Sequence, residues 1–196
     1  MLCDLDTLKT LPKREYISGL AEVIKYGVIY DAILFARLER NLPKLLQRDA
    51  ATLAAVIACC CEIKADVVGQ DETENGLRAI LNFGHTIGHA IENISGYGKF
   101  LHGEAISIGQ VATAKLSSGL MGLSGDDAGR IRDLFKRAGL PTQIKLKPAQ
   151  RQKLFAAMRL DKKVSGGEIK FVLARKIGVV EFGQKVPLEL IESALA

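Results

Sequence analysis

Apolar side chains recur every three or four positions along most of the chain, which is the pattern of helices that bury one face. The segments that show it are residues 13–30, 31–47, 49–69, 77–95, 104–123, 126–139, 148–161 and 187–196. The segment 104–123 is mostly apolar, so we expect it to lie at the centre of the fold. The pattern therefore predicts a mainly helical protein.

Capping and helix-breaking residues mark the predicted helix ends. Asp31 and Asp49 stand where N-caps are expected, and Gly69 stands where a helix would stop. Pro43 predicts a break or a new first turn within its segment, because proline cannot donate the helical hydrogen bond. The polar stretch 70–76 predicts a turn.

Two segments near the C-terminus have the character of strands. Residues 168–174 and 178–184 are rich in β-branched and apolar side chains and are separated by 175–177, so they predict a hairpin. No glycine-rich phosphate loop follows a strand, so the chain shows no nucleotide-binding half of the Rossmann kind. The expected fold is mainly α: one multi-helix domain over residues 1–196 with a small β-hairpin near the C-terminus.

Composition and charge narrow the class of protein. The 196 residues are 48% hydrophobic and 25% charged, and they include neither a membrane-length apolar run nor a secretion signal. We therefore expect a cytoplasmic protein with no membrane partner. The net charge is +5, but basic blocks with interleaved aromatic residues are lacking, so nucleic acid is not an expected partner. The excess charge fits a basic surface that partly faces an anionic small molecule.

The cysteines are Cys3 and the consecutive Cys59, Cys60 and Cys61. Neighbours on a helix point about 100° apart, so this run cannot form a paired metal knuckle. We expect small, buried apolar side chains in a reducing compartment rather than disulfides or metal ligands.

The three histidines, His85, His89 and His102, lie in one short stretch. His85 and His89 are four positions apart, so a helix presents both on one face. Three imidazoles, or two with a carboxylate and the third free for acid–base chemistry, are ligand sets that zinc takes in catalytic sites. The spacing does not choose between these sets. Gly84 and Gly88 would admit close approach by a ligand, a metal or another backbone.

Glu22 and Lys25 are three positions apart on one face of an apolar helix. Buried charges need partners, and a metal for Glu22 and an anion for Lys25 would supply them. A surface ion pair is the simpler alternative.

Further cationic and amide side chains surround this region in sequence. Arg78 and Asn82 share a face of the predicted helix 77–95 with His85, and an arginine offers a fork suited to a carboxylate or phosphate. The cations Lys162 and Lys163 stand on a glycine-containing turn, for which a solvated surface turn is the alternative.

Four motifs occur in order along the chain: LPKREYISGLAEVIKYGVI, NFGHTIGHAIE, LHGEAISIG and LDKKVSGGEIKFVL. Together they resemble the C-terminal domain of the 3-dehydroquinate synthase family, which are lyases of the shikimate pathway of aromatic amino acid biosynthesis. The resemblance runs from Leu2 to Ala196 without an obvious gap.

The resemblance implies a role for each candidate residue. The implied ligands of Zn2+, or of Co2+, are Glu22, His85 and His102. The residues that match catalytic positions are His89, Lys25 and Asn82. The implied substrate contacts are Lys64, Arg78 and one of the pair Lys162 and Lys163.

The family reaction converts 3-deoxy-arabino-heptulosonate 7-phosphate to 3-dehydroquinate and phosphate. It oxidises a ring hydroxyl with bound NAD, eliminates phosphate, reduces the ketone and closes a carbocycle, with the metal as a Lewis acid at the hydroxyl. The substrate carries a carboxylate and a phosphate, which suits the cluster of cations.

The resemblance also implies an N-terminal NAD-binding domain that this chain does not contain, and a homodimeric full-length enzyme. We therefore expect an isolated C-terminal domain that binds metal but does not turn over substrate alone. One alternative is another sugar-phosphate cyclase, which would differ at Lys64 and Arg78. The other is a non-catalytic metal-binding domain.

Overall fold

Helices make up most of the structure, a computed structural model that describes residues 3–73, 76–96, 98–160, 164–165 and 168–195. The α-helices in these residues are α1 (Thr7–Thr10), α2 (Lys13–Ile29), α3 (Ala32–Leu46), α4 (Ala50–Gln70), α5 (His85–Ser95), α6 (His102–Leu120), α7 (Gly125–Arg137), α8 (Pro148–Leu160) and α9 (Leu188–Ala194). A 3-10 helix spans Leu77–Asn82. Across the described ranges, no helix is both long and apolar enough to cross a membrane.

The predicted hairpin is confirmed as part of a small antiparallel sheet. Its strands are β1 (Val164–Ser165), β2 (Glu168–Lys176) and β3 (Val179–Lys185), in that order across the sheet. The turn between β2 and β3 contains Gly178, whose φ is +87°, and the Gly178 N–H donates to the Val28 carbonyl at 2.8 Å. The turn therefore fastens the sheet to the end of α2.

The predicted break at Pro43 is wrong, because α3 continues through it. Proline leaves the Glu39 carbonyl without its helical donor, and Arg137 of α7 supplies one instead, Nη2 to oxygen at 2.9 Å. A partner from another helix thus replaces the hydrogen bond that the proline removes. Asp31 and Asp49 do act as N-caps, each accepting from a backbone N–H of the following turn.

Helix α6 lies between two hydrophobic cores, as its apolar sequence predicts. It contributes Val111 and Ala114 to a core built mainly from α2, α3, α4 and α7. It contributes Ile108 and Leu116 to a second core with α5, α8, α9 and the sheet. Helix α6 is therefore fixed against several neighbouring elements at once.

Glycines let α6 approach its neighbours at backbone distance. A Cβ at Gly103 would lie 1.9 Å from the Ser18 carbonyl oxygen of α2, and one at Gly109 would lie 2.1 Å from the Gly84 carbonyl oxygen. Space at Gly84 and Gly88 is likewise taken by α6 atoms. Of the three uses considered for these last two glycines, the structure shows close approach of another backbone.

Ser117 joins α6 to the sheet through buried hydrogen bonds. Its Oγ accepts from the Ala174 N–H at 2.9 Å and donates to the Thr113 carbonyl at 2.7 Å. The neighbouring Ser118 Oγ is buried with no hydrogen-bond partner among the described residues. Of these two adjacent serines, we therefore expect Ser117 to contribute more to the stability of the fold.

The expectation of buried cysteines is wrong. Cys3 is exposed and Cys59, Cys60 and Cys61 are partly exposed, all four as free thiols. The three consecutive side chains point in different directions around α4, and Cys59 and Cys60 pack against the core while remaining partly exposed. Burial still raises the pKa of the Cys60 thiol to about 12.

Candidate metal centre

Glu22, His85 and His102 converge from three helices. Glu22 lies in the middle of α2, while His85 and His102 are the first residues of α5 and α6. One ligand atom from each residue lies within 4.8 Å of the others. Glu22 Oε1 is 3.5 Å from His85 Nε2 and 3.7 Å from His102 Nε2. Three helices packed on one another thus present three donor atoms to one point.

The single helix predicted over 77–95 is wrong, and the observed break directs His85. The 3-10 helix ends at Asn82, and Gly84 has φ +77°, in the left-handed region that favours glycine. A Cβ at Gly84 would also lie 2.6 Å from a backbone nitrogen of α6. The helical face that Arg78, Asn82 and His85 were expected to share is therefore absent, because the chain turns before α5 begins.

His85 is held with one ring nitrogen free to bind a cation. Its Nδ1 lies 3.1 Å from the Phe83 carbonyl oxygen, which can only accept a hydrogen bond. Nδ1 therefore carries the proton, and Nε2 presents a lone pair towards Glu22. Burial, together with the positive charge of Lys25, lowers the pKa of His85 to about 4. The imidazole is neutral at pH 7, which is the form that metals bind.

Lys25 determines the state of Glu22. Its Nζ donates to Glu22 Oε2 at 2.5 Å, and the lysine is only 4% exposed. Burial is the largest influence on the pKa of Glu22 and favours the neutral acid, but the charge and hydrogen bond of Lys25 help bring that pKa below its ordinary value. The ion pair weighed from the sequence exists, but it is partly buried rather than superficial, and it keeps Glu22 ionised.

The second oxygen of Glu22 has no such partner. Oε1 is buried, and no described group forms a hydrogen bond with it. Leaving a buried carboxylate oxygen unpaired is costly. In tetrahedral zinc sites with bonds of 2.0–2.1 Å, neighbouring donors are about 3.4 Å apart. The separations of 3.5 and 3.7 Å from Oε1 to the two imidazoles are close to that value, so the three residues fit one divalent ion.

His89 lies beside this cluster on the exposed side of α5. Its ring centroid is 5.2 Å from that of His85 and 5.9 Å from that of His102. The same side chain lines a cavity of ≈ 580 Å³ between α5 and α8, together with Asn93 and Lys153. His89 therefore stands between the metal-type cluster and a cavity with polar and cationic lining.

The remaining predicted site residues lie on α4 and in the 3-10 helix, or outside the described part of the chain. Lys64 is exposed on α4. Arg78 is partly buried in the 3-10 helix and donates from Nη1 to the Glu72 carbonyl at 2.8 Å, so it holds the preceding loop. Asn82 is partly buried at the end of that helix, before the turn into α5. The two predicted residues that lie outside the described part of the chain are Lys162 and Lys163.

Glu92 is a further residue of this region that was not predicted from the sequence. Its carboxylate oxygens lie 3.2 and 3.3 Å from His102 Nδ1, and with His89 and His102 it forms a second group of metal-ligand type. Its position three residues after His89 on α5 was a usable signal. The pairing with His102 was not, because it joins two helices.

Comparisons with known proteins identify the family of the chain. Residues 19–164 match the family model described as 3-dehydroquinate synthase C-terminal. The chain is 48% identical over 98% of its length to a 3-dehydroquinate synthase of Thermodesulfovibrio yellowstonii. It is 47% identical over 100% of its length to one of Nitrosomonas europaea. The chain spans about half the length of these curated relatives, 53% of each.

Two solved structures share the fold. ValA, the 2-epi-5-epi-valiolone synthase of Streptomyces hygroscopicus subsp. jinggangensis with NAD+ and Zn2+ bound, superposes with a TM-score of 0.86 at 28% identity, over 98% of this chain and 53% of that one. A 2-deoxy-scyllo-inosose synthase complexed with carbaglucose-6-phosphate, NAD+ and Co2+ gives 0.77 at 25% identity, over 98% and 55%. Both neighbours were determined with NAD+ and a divalent ion.

Proposed function

The chain belongs to the 3-dehydroquinate synthase C-terminal family, and we propose that it is the metal- and substrate-binding half of a 3-dehydroquinate synthase. The proposed reaction converts 3-deoxy-arabino-heptulosonate 7-phosphate to 3-dehydroquinate and phosphate in the shikimate pathway. The observation that carries the proposal is the unpartnered oxygen of Glu22, which faces Nε2 of His85 and of His102.

We propose that these three residues hold one divalent ion. Two neutral imidazoles and one carboxylate are a ligand set that zinc takes in catalytic sites, with a further position open. The Zn2+ in ValA and the Co2+ in 2-deoxy-scyllo-inosose synthase support a divalent ion in this fold. A bound ion would act as a Lewis acid towards the substrate hydroxyl that is oxidised.

The neighbouring side chains would bind and orient the substrate. An ammonium carries three donors, and Lys25 gives one to Glu22, so we propose that another contacts the anionic substrate. His89 borders the cavity and has the side chain suited to move a proton near neutral pH. Asn82 offers an amide just before α5, which we propose orients the substrate.

The proposed substrate carries a carboxylate and a phosphate, which require cations. The cavity beside His89 contributes Lys153 and the amide of Asn93. Arg78 would exchange the Glu72 carbonyl for a substrate carboxylate, which is a stronger partner for a guanidinium. The further proposed substrate contacts are Lys64 and one of the pair Lys162 and Lys163.

The proposed binding site for NAD lies mainly in the part of the relatives that this chain does not match. Because the chain spans about half of their length, we propose that the other half supplies most of the NAD contacts. That the full-length enzyme is a homodimer is a separate proposal, which rests on the resemblance to the family. The chain alone, given NAD and substrate, should then release no phosphate.

Metal analysis tests the proposed ligands. The purified chain, loaded with zinc and desalted, should retain about one ion, and the variants Glu22→Gln, His85→Asn and His102→Asn should each lose it. His89→Asn is the matched control, because it removes an imidazole of the same cluster that is not a proposed ligand. Loss of the ion in the control, with retention in any of the other three, would assign the wrong ligand set.

A hybrid enzyme tests the reaction. The aligned half of the Thermodesulfovibrio yellowstonii enzyme is replaced by this chain, and phosphate release is measured with 3-deoxy-arabino-heptulosonate 7-phosphate, NAD and zinc. The hybrid should release phosphate, and the same hybrid carrying Glu22→Gln should not. A correctly folded hybrid that binds zinc but releases no phosphate would favour the non-catalytic domain.

The fold also supports a cyclase with a different substrate, since ValA superposes with a TM-score of 0.86. The higher identity to 3-dehydroquinate synthases, 47–48% against 28%, favours the carboxylated substrate. The hybrid enzyme distinguishes the two. Faster turnover of a sugar phosphate without a carboxylate would assign the chain to the other cyclases.

A further inference from the structure

We propose that Glu92 is a positioning residue that holds the His102 ring with Nε2 facing the metal site. The inference rests on the proposed function, because that function makes His102 a ligand. Glu92 lies on α5 and His102 begins α6, so the pair also joins the two helices that carry the histidines.

The hydrogen-bond geometry determines which ring nitrogen carries the proton. His102 Nδ1 lies 3.3 Å from Glu92 Oε1 and 3.2 Å from Oε2. A carboxylate accepts hydrogen bonds and cannot donate them, so Nδ1 must be the donor. In a neutral imidazole the other nitrogen, Nε2, then has a lone pair, and it lies 3.7 Å from Glu22 Oε1.

The same arrangement exists at His85, with a different acceptor. There the Nδ1 partner is the Phe83 carbonyl, and the residue is only 8% exposed. The side chain of His102 is 49% exposed, so little packing restricts its rotation, and the Glu92 carboxylate supplies the acceptor instead. Both imidazoles therefore present Nε2 to the same oxygen, one fixed by the main chain and one by a side chain.

A second metal site made of His89, Glu92 and His102 is the competing interpretation. It would require Nδ1 of His102 to lose its proton and bind an ion. The observed separations of 3.2–3.3 Å fit a hydrogen bond from Nδ1–H. A hydrogen bond from the outer nitrogen of a ligating histidine to a carboxylate is also the usual support of such ligands in metal sites.

The test compares three variants by zinc affinity, measured in competition with a chromophoric chelator. Glu92→Ala removes the acceptor and should weaken zinc binding about 10–100-fold. Glu92→Gln keeps an acceptor oxygen and should restore most of the affinity. Glu62→Ala is the matched control, since it removes an exposed carboxylate from α4, which carries none of the proposed ligands, and it should bind zinc as the unchanged chain does.

Nitrogen-15 NMR of the metal-free chain provides a second readout, recorded at about pH 8.5, where imidazoles are neutral. The unchanged chain should show His102 protonated at Nδ1, and Glu92→Ala should shift the proton towards Nε2 while His85 stays as it was. An Nε2–H tautomer in the unchanged chain would overturn the proposal.

The outcomes separate this inference from the proposed function. Unchanged zinc affinity in Glu92→Ala would overturn the role of Glu92 and leave the metal site standing. Two bound ions, of which Glu92→Ala removes one, would make Glu92 a ligand instead. A chain that binds no zinc would overturn the proposed metal site, and the tautomer of His102 would still decide the hydrogen bond.

Discussion

The metal-free chain should lose stability on mild acidification because of His85. Burial and the charge of Lys25 lower the pKa of this imidazole from the ordinary 6.5 to about 4. Between these values the unfolded chain binds a proton that the folded chain excludes. Stability therefore falls as the pH drops below 6.5, and the loss is complete below about 4.

The magnitude follows from the two pKa values. The free energy of unfolding should be about 2 kcal/mol lower at about pH 5 than at about pH 7.5. Between pH 6.5 and about 4, each decrease of one pH unit lowers it by about 1.4 kcal/mol. Glu22 contributes little in this interval. The pKa of this acid, whose Oε1 is 3.5 Å from His85 Nε2, lies below its ordinary value of 4.5.

The assay is urea unfolding of the chelator-treated chain at both pH values. The chain has no tryptophan, so the helical circular dichroism signal is the appropriate probe. His85→Asn is the comparison, because its amide can still donate to the Phe83 carbonyl but does not titrate. The free energy of unfolding should fall by about 2 kcal/mol in the unchanged chain and by much less in His85→Asn.

An equal loss of stability in both proteins would refute the reasoning, since the pH dependence would then come from other groups. A rise in stability on acidification would contradict the sign. If His85→Asn did not share that rise, His85 would have to gain a proton on folding, which is incompatible with its burial beside Lys25.

The remaining predictions concern packing and reactivity. Gly109→Ala should destabilise the chain by about 1–3 kcal/mol or more, because its Cβ would meet a carbonyl oxygen at 2.1 Å. Gly119→Ala on the same helix, where nothing lies within 4 Å of the added Cβ, should stabilise the chain by about 0.5–1 kcal/mol. Urea unfolding measures both changes. Ser117→Ala should cost about 1–3 kcal/mol by leaving a buried N–H unpaired, whereas Ser118→Ala should be nearly neutral, and equal effects would contradict the hydrogen-bond assignment. Cys60, with a pKa of about 12, should be alkylated at about pH 8 roughly a thousandfold more slowly than an ordinary exposed thiol, as mass spectrometry of labelled peptides would show.

Much of the fold follows from local pattern. Apolar periodicity predicts most helices and the central position of α6, and turn chemistry predicts the hairpin. The wrong predictions concern positions where a residue far away in the sequence determines whether the helix continues. At Pro43 the helix continues because Arg137 satisfies the freed carbonyl of Glu39. At Gly84 the predicted helix breaks because the backbone of α6 lies too close for any side chain.

For the site, too, local pattern indicates some residues, while others depend on how the helices pack. Residue type and spacing single out the histidines, and the resemblance to the family implies Glu22 as their partner. The pairing of Glu92 with His102 depends on how α5 packs against α6, which the spacing of residues within one helix does not express. The contacts of the cationic side chains could be predicted least well. Arg78 is an implied substrate contact, but in the structure it donates to a loop carbonyl.

The most direct test of the central claim is a crystal structure of the zinc-loaded chain, with the ion located by its anomalous scattering. We expect one zinc bound by Glu22 Oε1 and by Nε2 of His85 and His102 at about 2.0–2.2 Å. An ion bound by His89 and Glu92 instead, or the three proposed ligands pointing apart with no ion between them, would contradict it.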